Sequence, residues 1–433
     1  MAHEPTLDTS TPVAQSGAAA DVPWWKEVTP DQWRTLLATW AGWCLDVFDY
    51  FLLILVLSEI AKTFGVSLVA MGTVITGTLI CRLFGGVLFG TLGDRIGRKL
   101  PLMISILTFS IFSALSGLAP TFAWFFLFRL LFGFGMGGEW AAGTPLAMES
   151  WPQRSRGIAS GILQGGYPVG YFLATLTYFF VFPVWGWRAL FLIGFLPALL
   201  LLYIRKGVKE SPVFEARRAA LRAAGRAETG ISAARLFQRD VLPTSLHAFL
   251  VMIGAMLSQF CLSALWPTYL TKELHVTIGQ RTQFLLLLNV GSLIGYWSCG
   301  ALSEKLGRRR SLSLFAVLGA VLVPLYSLTA DRTLVMLGGF LEGFFAVGFW
   351  GVIPAYLAER FPTRVRGVGP GASFSVGAAV GSFGPTLQTL LVQRAGYTLG
   401  QAIALGTVVA LLVVAIVTFL GPEPKGTVFT AEV

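Results

Sequence analysis

The chain has 433 residues, 55% of them hydrophobic and only 12% charged, with a mean hydropathy of +0.71 and a formal net charge of +10. Soluble domains carry roughly 25% charged residues, so a soluble globular protein is excluded and an all-α membrane protein is indicated. The basic excess then belongs to loops facing anionic lipid head groups and gives no reason to expect nucleic acid.

Residues 1–32 lack a basic start, an apolar core and a small-residue cleavage site, so they do not read as a signal peptide but as a disordered cytoplasmic tail. Twelve apolar runs follow, at 36–58, 70–93, 100–119, 122–147, 157–181, 188–205, 244–270, 282–303, 311–330, 332–357, 367–392 and 398–420. At 1.5 Å per residue, a helix of about 20 residues crosses a hydrocarbon core of about 30 Å. The predicted organisation is an N-terminal six-helix half (33–205), a basic cytoplasmic linker (206–243), a C-terminal six-helix half (244–420) and a cytoplasmic tail (421–433). Of the 32 Lys and Arg residues, 24 fall in the tails and loops of one side and six on the other. Cytoplasmic loops are the basic ones, so both termini are expected inside, in a multi-pass protein of the cell (inner) membrane.

A shift of 210 residues lays "GTLGDRIGRKL" (90–100) on "GALSEKLGRRR" (300–310) and "ESWPQRSRG" (149–157) on "ERFPTRVRG" (359–367). The two halves are therefore internal repeats. Parallel repeats with a site between them describe a transporter working by alternating access. Asp94, Arg95 and Arg98, with Glu304, Lys305 and Arg308, face Glu149, Arg156, Glu359 and Arg366 as candidate partners in a cytoplasmic gate, an element with two arrangements that sets rates and not substrate identity. The repeated G-x-x-x-D-R-x-G-R-K loop resembles the signature of the major facilitator superfamily over about residues 33–420. That resemblance implies its fold.

Charges inside the spans are the functional candidates, since each costs at least about 2.5–3.5 kcal/mol to insert. Counted by helical rise, Asp46, Asp49, Arg82 and Glu139 lie at similar depth near the midplane, while Arg129 and Glu342 lie nearer the outer side. Ionised together, four acids and two bases leave a net charge of two negatives, so at least one acid should carry a proton in some state. Asp46, Asp49, Glu139 and Glu342 are therefore the proton-coupling candidates. Arg129 is assigned to a structural ion pair. Arg82 is the one basic group at the midplane, and its planar guanidinium suits a carboxylate. Gln164, Tyr167, Gln259, Asn289, Tyr296 and Ser373 are the remaining substrate-binding candidates, Asn289 and Gln164 foremost.

The stretches "WRTLLATWAGWCLDVFDYFLLILVLSE", "CRLFGGVLFGTLGDRIGRK" and "RLLFGFGMGGEW" are similar to the sialate/lactate branch of proton symporters. The resemblance implies proton-coupled uptake of a small monocarboxylate by Asp46, Asp49, Arg82 and Glu139. Some bacterial sialic acid transporters carry two extra central spans where this chain has a basic linker, which shifts weight toward lactate or pyruvate. A dicarboxylate or an aromatic or hydroxy acid is the near alternative, because "GGE" also occurs in a neighbouring branch of metabolite symporters. The four cysteines, Cys44, Cys81, Cys261 and Cys299, lack metal-ligand spacing, and no phosphate loop or nucleophile triad is present. Neither metal nor cofactor is expected, a membrane-embedded enzyme or a transporter-like sensor is a distant alternative, and the partners foreseen are the anion, protons and the bilayer, with a monomeric functional unit.

Overall fold

The computed structural model describes residues 23–225 and 232–430. Residues 1–22 of the tail expected at 1–32, residues 226–231 of the expected linker and the last three residues lie outside it. Nine helical stretches among the described residues are long and apolar enough to cross a bilayer. One of them, Gln153–Gly207, holds two crossings, because Gly186 (φ 71°) breaks the helix in backbone space that a side chain disfavours. The helix Phe122–Ser150 and the broken pair Val368–Gly381 and Gly384–Ala395 complete the twelve spans.

Span 1, Pro30–Leu55, begins earlier than its apolar run because Pro30 follows Thr29, whose side chain forms a capping box with Gln32. Residues 24–32 were expected in a disordered tail. They form instead a helical turn, Trp24–Glu27, and the start of span 1, with Trp24 packed near Trp33 and Trp33 edge-on to Trp151. The rings supply apolar surface that composition alone did not credit. The linker is also not featureless: Pro212–Ala223 is a helix capped by Ser211. Span 10 departs from α geometry after Glu342, passing through a π turn (Gly343–Val347) and a 3-10 turn (Gly348–Val352); such bulges are frequent at functional sites.

Within the first half, spans 2 and 4, 3 and 4, and 1 and 5 pack together; within the second, spans 7 and 11, 9 and 12, and 7 and 12 do so. The seam between halves is made by span 2 on span 11 and the start of span 5 on span 8. Small residues draw span 4 onto span 2: a Cβ on Gly133 would fall 2.1 Å from the Thr78 carbonyl oxygen, and one on Gly137 2.2 Å from that of Arg82. This contact fixes Arg82 beside the turn that carries Glu139.

Candidate functional site

A chamber of about 90 Å³ lies between the halves, lined by Arg82, Gln164 and Tyr167 from the first and by Gln259 and Tyr296 from the second. Aromatic residues that sequence reading did not single out, Trp43, Trp350 and Phe374, close its walls. Arg82 donates from one guanidinium nitrogen to Asp46 at 3.3 Å, and its guanidinium carbon stands 4.7 Å from the Phe374 ring centroid and 5.8 Å from that of Trp43. The Arg82 Nε, Trp43 Nε1 and Trp350 Nε1 donors have no hydrogen-bond partner among the described residues, and Gln164 Oε1 is an unpaired acceptor. Buried donors are rarely left so. Three unpaired N–H groups around one chamber suit an anion.

Two of the substrate-binding candidates sit elsewhere. Asn289 donates to the Leu285 carbonyl and faces a separate groove between spans 5 and 8, with Tyr171 and Arg281. Ser373 is buried and donates back to Gly369 at 2.7 Å, a bond within its own helix.

The intramembrane acids fall into two kinds. Asp46 pairs with Arg82, and Asp49 pairs with Arg129 at 3.1 Å, the latter pair fully buried. Glu139 has no salt bridge among the described residues; its electrostatic neighbours are Asp46 and Arg82. Glu342 is fully buried with neither carboxyl oxygen bonded. The surplus of two acids read from the sequence thus resolves onto Glu139 and Glu342. Asp49 is held in the manner of a helix staple. Replacing it by Asn should leave Arg129 buried and unpaired and lower stability by about 3–5 kcal/mol. Adding Arg129→Met should recover part of that loss in thermal unfolding of the solubilised protein, whereas a neutral Asp49→Asn would return Asp49 to the proton-carrying set.

At the basic end the repeat becomes a buried network with matched geometry. Arg98 grips Glu149 through two donors at 3.3 and 3.2 Å, and Arg308 grips Glu359 at 3.0 and 3.3 Å. Asp94 accepts the Gly367 and Val368 amides of the other half at 2.8 and 3.0 Å, and Glu304 correspondingly accepts the Gly157 amide. Arg156 crosses to Glu359 at 3.1 Å and Arg366 to Glu149 at 3.3 Å. Gly97 and Gly307 turn the chain with φ of 107° and 93°, a region that favours glycine. Arg95 and Lys305 are exposed, unlike Asp94, Arg98 and Arg308.

Burial lowers the Arg366 guanidinium to about 10, with Glu149 opposing and Arg98 and Arg156 reinforcing that shift; it stays charged at neutral pH. For Arg98 the same burial is outweighed by Glu149 and Asp94, which raise it above its ordinary value. With these contacts made, the basic end is closed.

Sequence reading missed two acids that complete the network. Glu210 accepts the backbone amides of Arg98 and Lys99 at 2.8 and 3.1 Å, and Glu423 accepts those of Arg308 and Arg309 at 2.8 and 3.1 Å. Each caps the helix that follows its signature loop. The signal existed, but at a shift of 213 and not 210, so a fixed register passes over it.

The chain matches the Major Facilitator Superfamily over residues 39–296 and 248–432. It is 34% identical over 365 residues to a probable 4-methylmuconolactone transporter of Cupriavidus pinatubonensis, covering 83% of each chain. It is 30% identical over 387 residues to the sialic acid transporter NanX of Escherichia coli, covering 89% of this chain and 93% of that one. Among solved structures it resembles the proton:xylose symporter XylE with a TM-score of 0.72 at 19% identity, over 92% of this chain and 98% of the other. The last likeness is one of fold.

Proposed function

This chain belongs to the major facilitator superfamily, and from that premise we propose that it takes up a small organic carboxylate together with protons, by alternating access of its two halves, 33–205 and 244–420, about the Arg82 chamber. The observation that carries this reading is the Arg82 guanidinium, tied to Asp46 by one nitrogen while its Nε and the indole N–H groups of Trp43 and Trp350 stand unpaired around the cavity. An anion entering there meets the Arg82 guanidinium, whose Nε is unpaired, and spares the cost of a bare buried charge. The chamber as it stands is small, about 90 Å³, which favours a compact acid such as lactate or pyruvate. The relative named for sialic acid keeps the carboxylate class in view. The aromatic walls favour a second reading, a flat unsaturated or aromatic acid packed against the Trp43, Trp350 and Phe374 rings. The basic end faces the cytoplasm of an inner membrane, and one chain is the working unit.

A panel of carboxylates on the purified protein tests the class, because a ligand held by the folded state stabilises it by about 2.7 kcal/mol at a hundred times its Kd. Lactate and pyruvate should raise the melting temperature if the first reading holds, and nicotinate-like flat acids if the second does. Neutral sugars should leave it unchanged. Uptake of the hit into proteoliposomes should rise with an acid exterior and collapse with a protonophore; sodium dependence without a pH effect would sink the coupling.

A further inference from the structure

We infer that Phe429, in the C-terminal tail, is a positioning residue for the cytoplasmic gate, holding Arg156 and Arg366 in the poses from which each reaches the opposite half. Phe429 is fully buried although it lies beyond the last span. The guanidinium carbons of Arg156 and Arg366 each stand 3.8 Å from its ring centroid. Two guanidinium groups cannot share one face at that distance, so the ring is held between them. These are repeat-related arginines, one from each half, and they carry the bridges Arg156–Glu359 and Arg366–Glu149 that cross the seam.

The ring answers a specific electrostatic difficulty. Closing the gate brings two like charges together in a space without water. Each face of an aromatic ring carries negative potential, so one ring attracts both cations while keeping them apart. The tail is fastened so as to deliver it. Glu423 caps the helix at Arg308, Lys425 donates to the Glu304 carbonyl, Arg156 donates to the Thr427 carbonyl at 3.4 Å, and Thr363 donates to the Thr430 carbonyl at 2.8 Å. These contacts touch both halves. When the halves part at this end, Arg156 leaves with the first and Arg366 with the second, and the ring cannot follow both. Phe429 therefore favours the closed gate and must let go of at least one arginine for inward opening. Its effect falls on the balance between closed and open, whichever solute is carried.

The test needs no substrate, which separates it from the reading of the chamber. Ser375→Cys places a thiol on span 11, buried against Gly86 of span 2 while the gate is closed. Its labelling by a membrane-impermeant maleimide from the cytoplasmic side reports opening, after subtracting the labelling of the parent that keeps Ser375. Phe429→Leu, which keeps apolar bulk without the ring, should raise the labelling rate about five- to tenfold, and Phe429→Tyr should restore it to within about twofold of the parent. A chain ending at Val428 should match the leucine variant. Parental labelling rates in the leucine variant and the shortened chain would overturn the assignment, and so would a tyrosine variant that labels as fast as leucine.

Discussion

Arg82→Lys is expected to weaken binding of the transported carboxylate by about ten- to a hundredfold, the loss matching one charged hydrogen bond of about 1.5–3 kcal/mol. Lysine keeps the positive charge, so Asp46 is not left as an orphaned buried anion and the fold should survive. What it lacks is the second edge. The Arg82 guanidinium gives one nitrogen to Asp46 at 3.3 Å and leaves Nε unpaired, while its plane lies near the Phe374 and Trp43 rings. A single ammonium cannot serve Asp46 and a substrate through separate, fixed prongs, and it has no plane to stack. Titration of the solubilised variant with the best ligand of the panel reads the effect directly. Unchanged affinity would make Arg82 a permanent strut for Asp46 and move the binding site elsewhere.

The parts of this arrangement that the sequence revealed are those written in one dimension. Apolar run lengths give twelve spans, and the 210-residue register pairs Arg98 with Arg308 and Glu149 with Glu359, which occupy equivalent places in the buried network. Counting rise per residue put Asp46 level with Arg82, and the two are in contact. Counting does not say where a cavity ends. Asn289 and Tyr296 are seven residues apart on one unbroken helix, so they share a face of span 8 and differ by about 10 Å in height; Tyr296 lines the chamber, whereas Asn289 lies in the groove beside span 5.

Depth also misleads for long side chains. Arg129 was placed nearer the outer side than Asp49, yet a guanidinium reaches across more than a turn of helix, and the two are paired at 3.1 Å. The tail was least legible of all. Glu423 and Phe429 sit in a short polar segment with no periodicity, and their roles come only from what folding brings to meet them, the amides of Arg308 and Arg309 for Glu423 and the guanidinium groups of Arg156 and Arg366 for Phe429.

Glu139→Gln should leave carboxylate binding within about threefold of the parent, a change under about 1 kcal/mol, while abolishing accumulation driven by a proton gradient. Arg82 engages Asp46 and Arg129 engages Asp49, so both intramembrane bases are used and Glu139 and Glu342 remain without one. Of the two, Glu139 has Asp46 and Arg82 as its electrostatic neighbours. Spans 2 and 4 are held together at Gly137, one turn or less from both residues, so a change in the partner of Arg82 is felt at Glu139. When a carboxylate takes the free edge of Arg82, less of its charge is left to neutralise Asp46 and Glu139, and a proton on Glu139 restores the balance. Release of substrate reverses this. Glutamine fixes the site in a neutral form at nearly the same volume, so binding should persist and exchange of labelled for unlabelled substrate should continue, because exchange requires no net proton release. Counterflow and proton-driven uptake, measured on the same proteoliposomes, separate the two processes. If Glu139→Gln still concentrates substrate against its gradient, the proton travels by Glu342 or Asp46, and the same pair of assays on Glu342→Gln then decides between them.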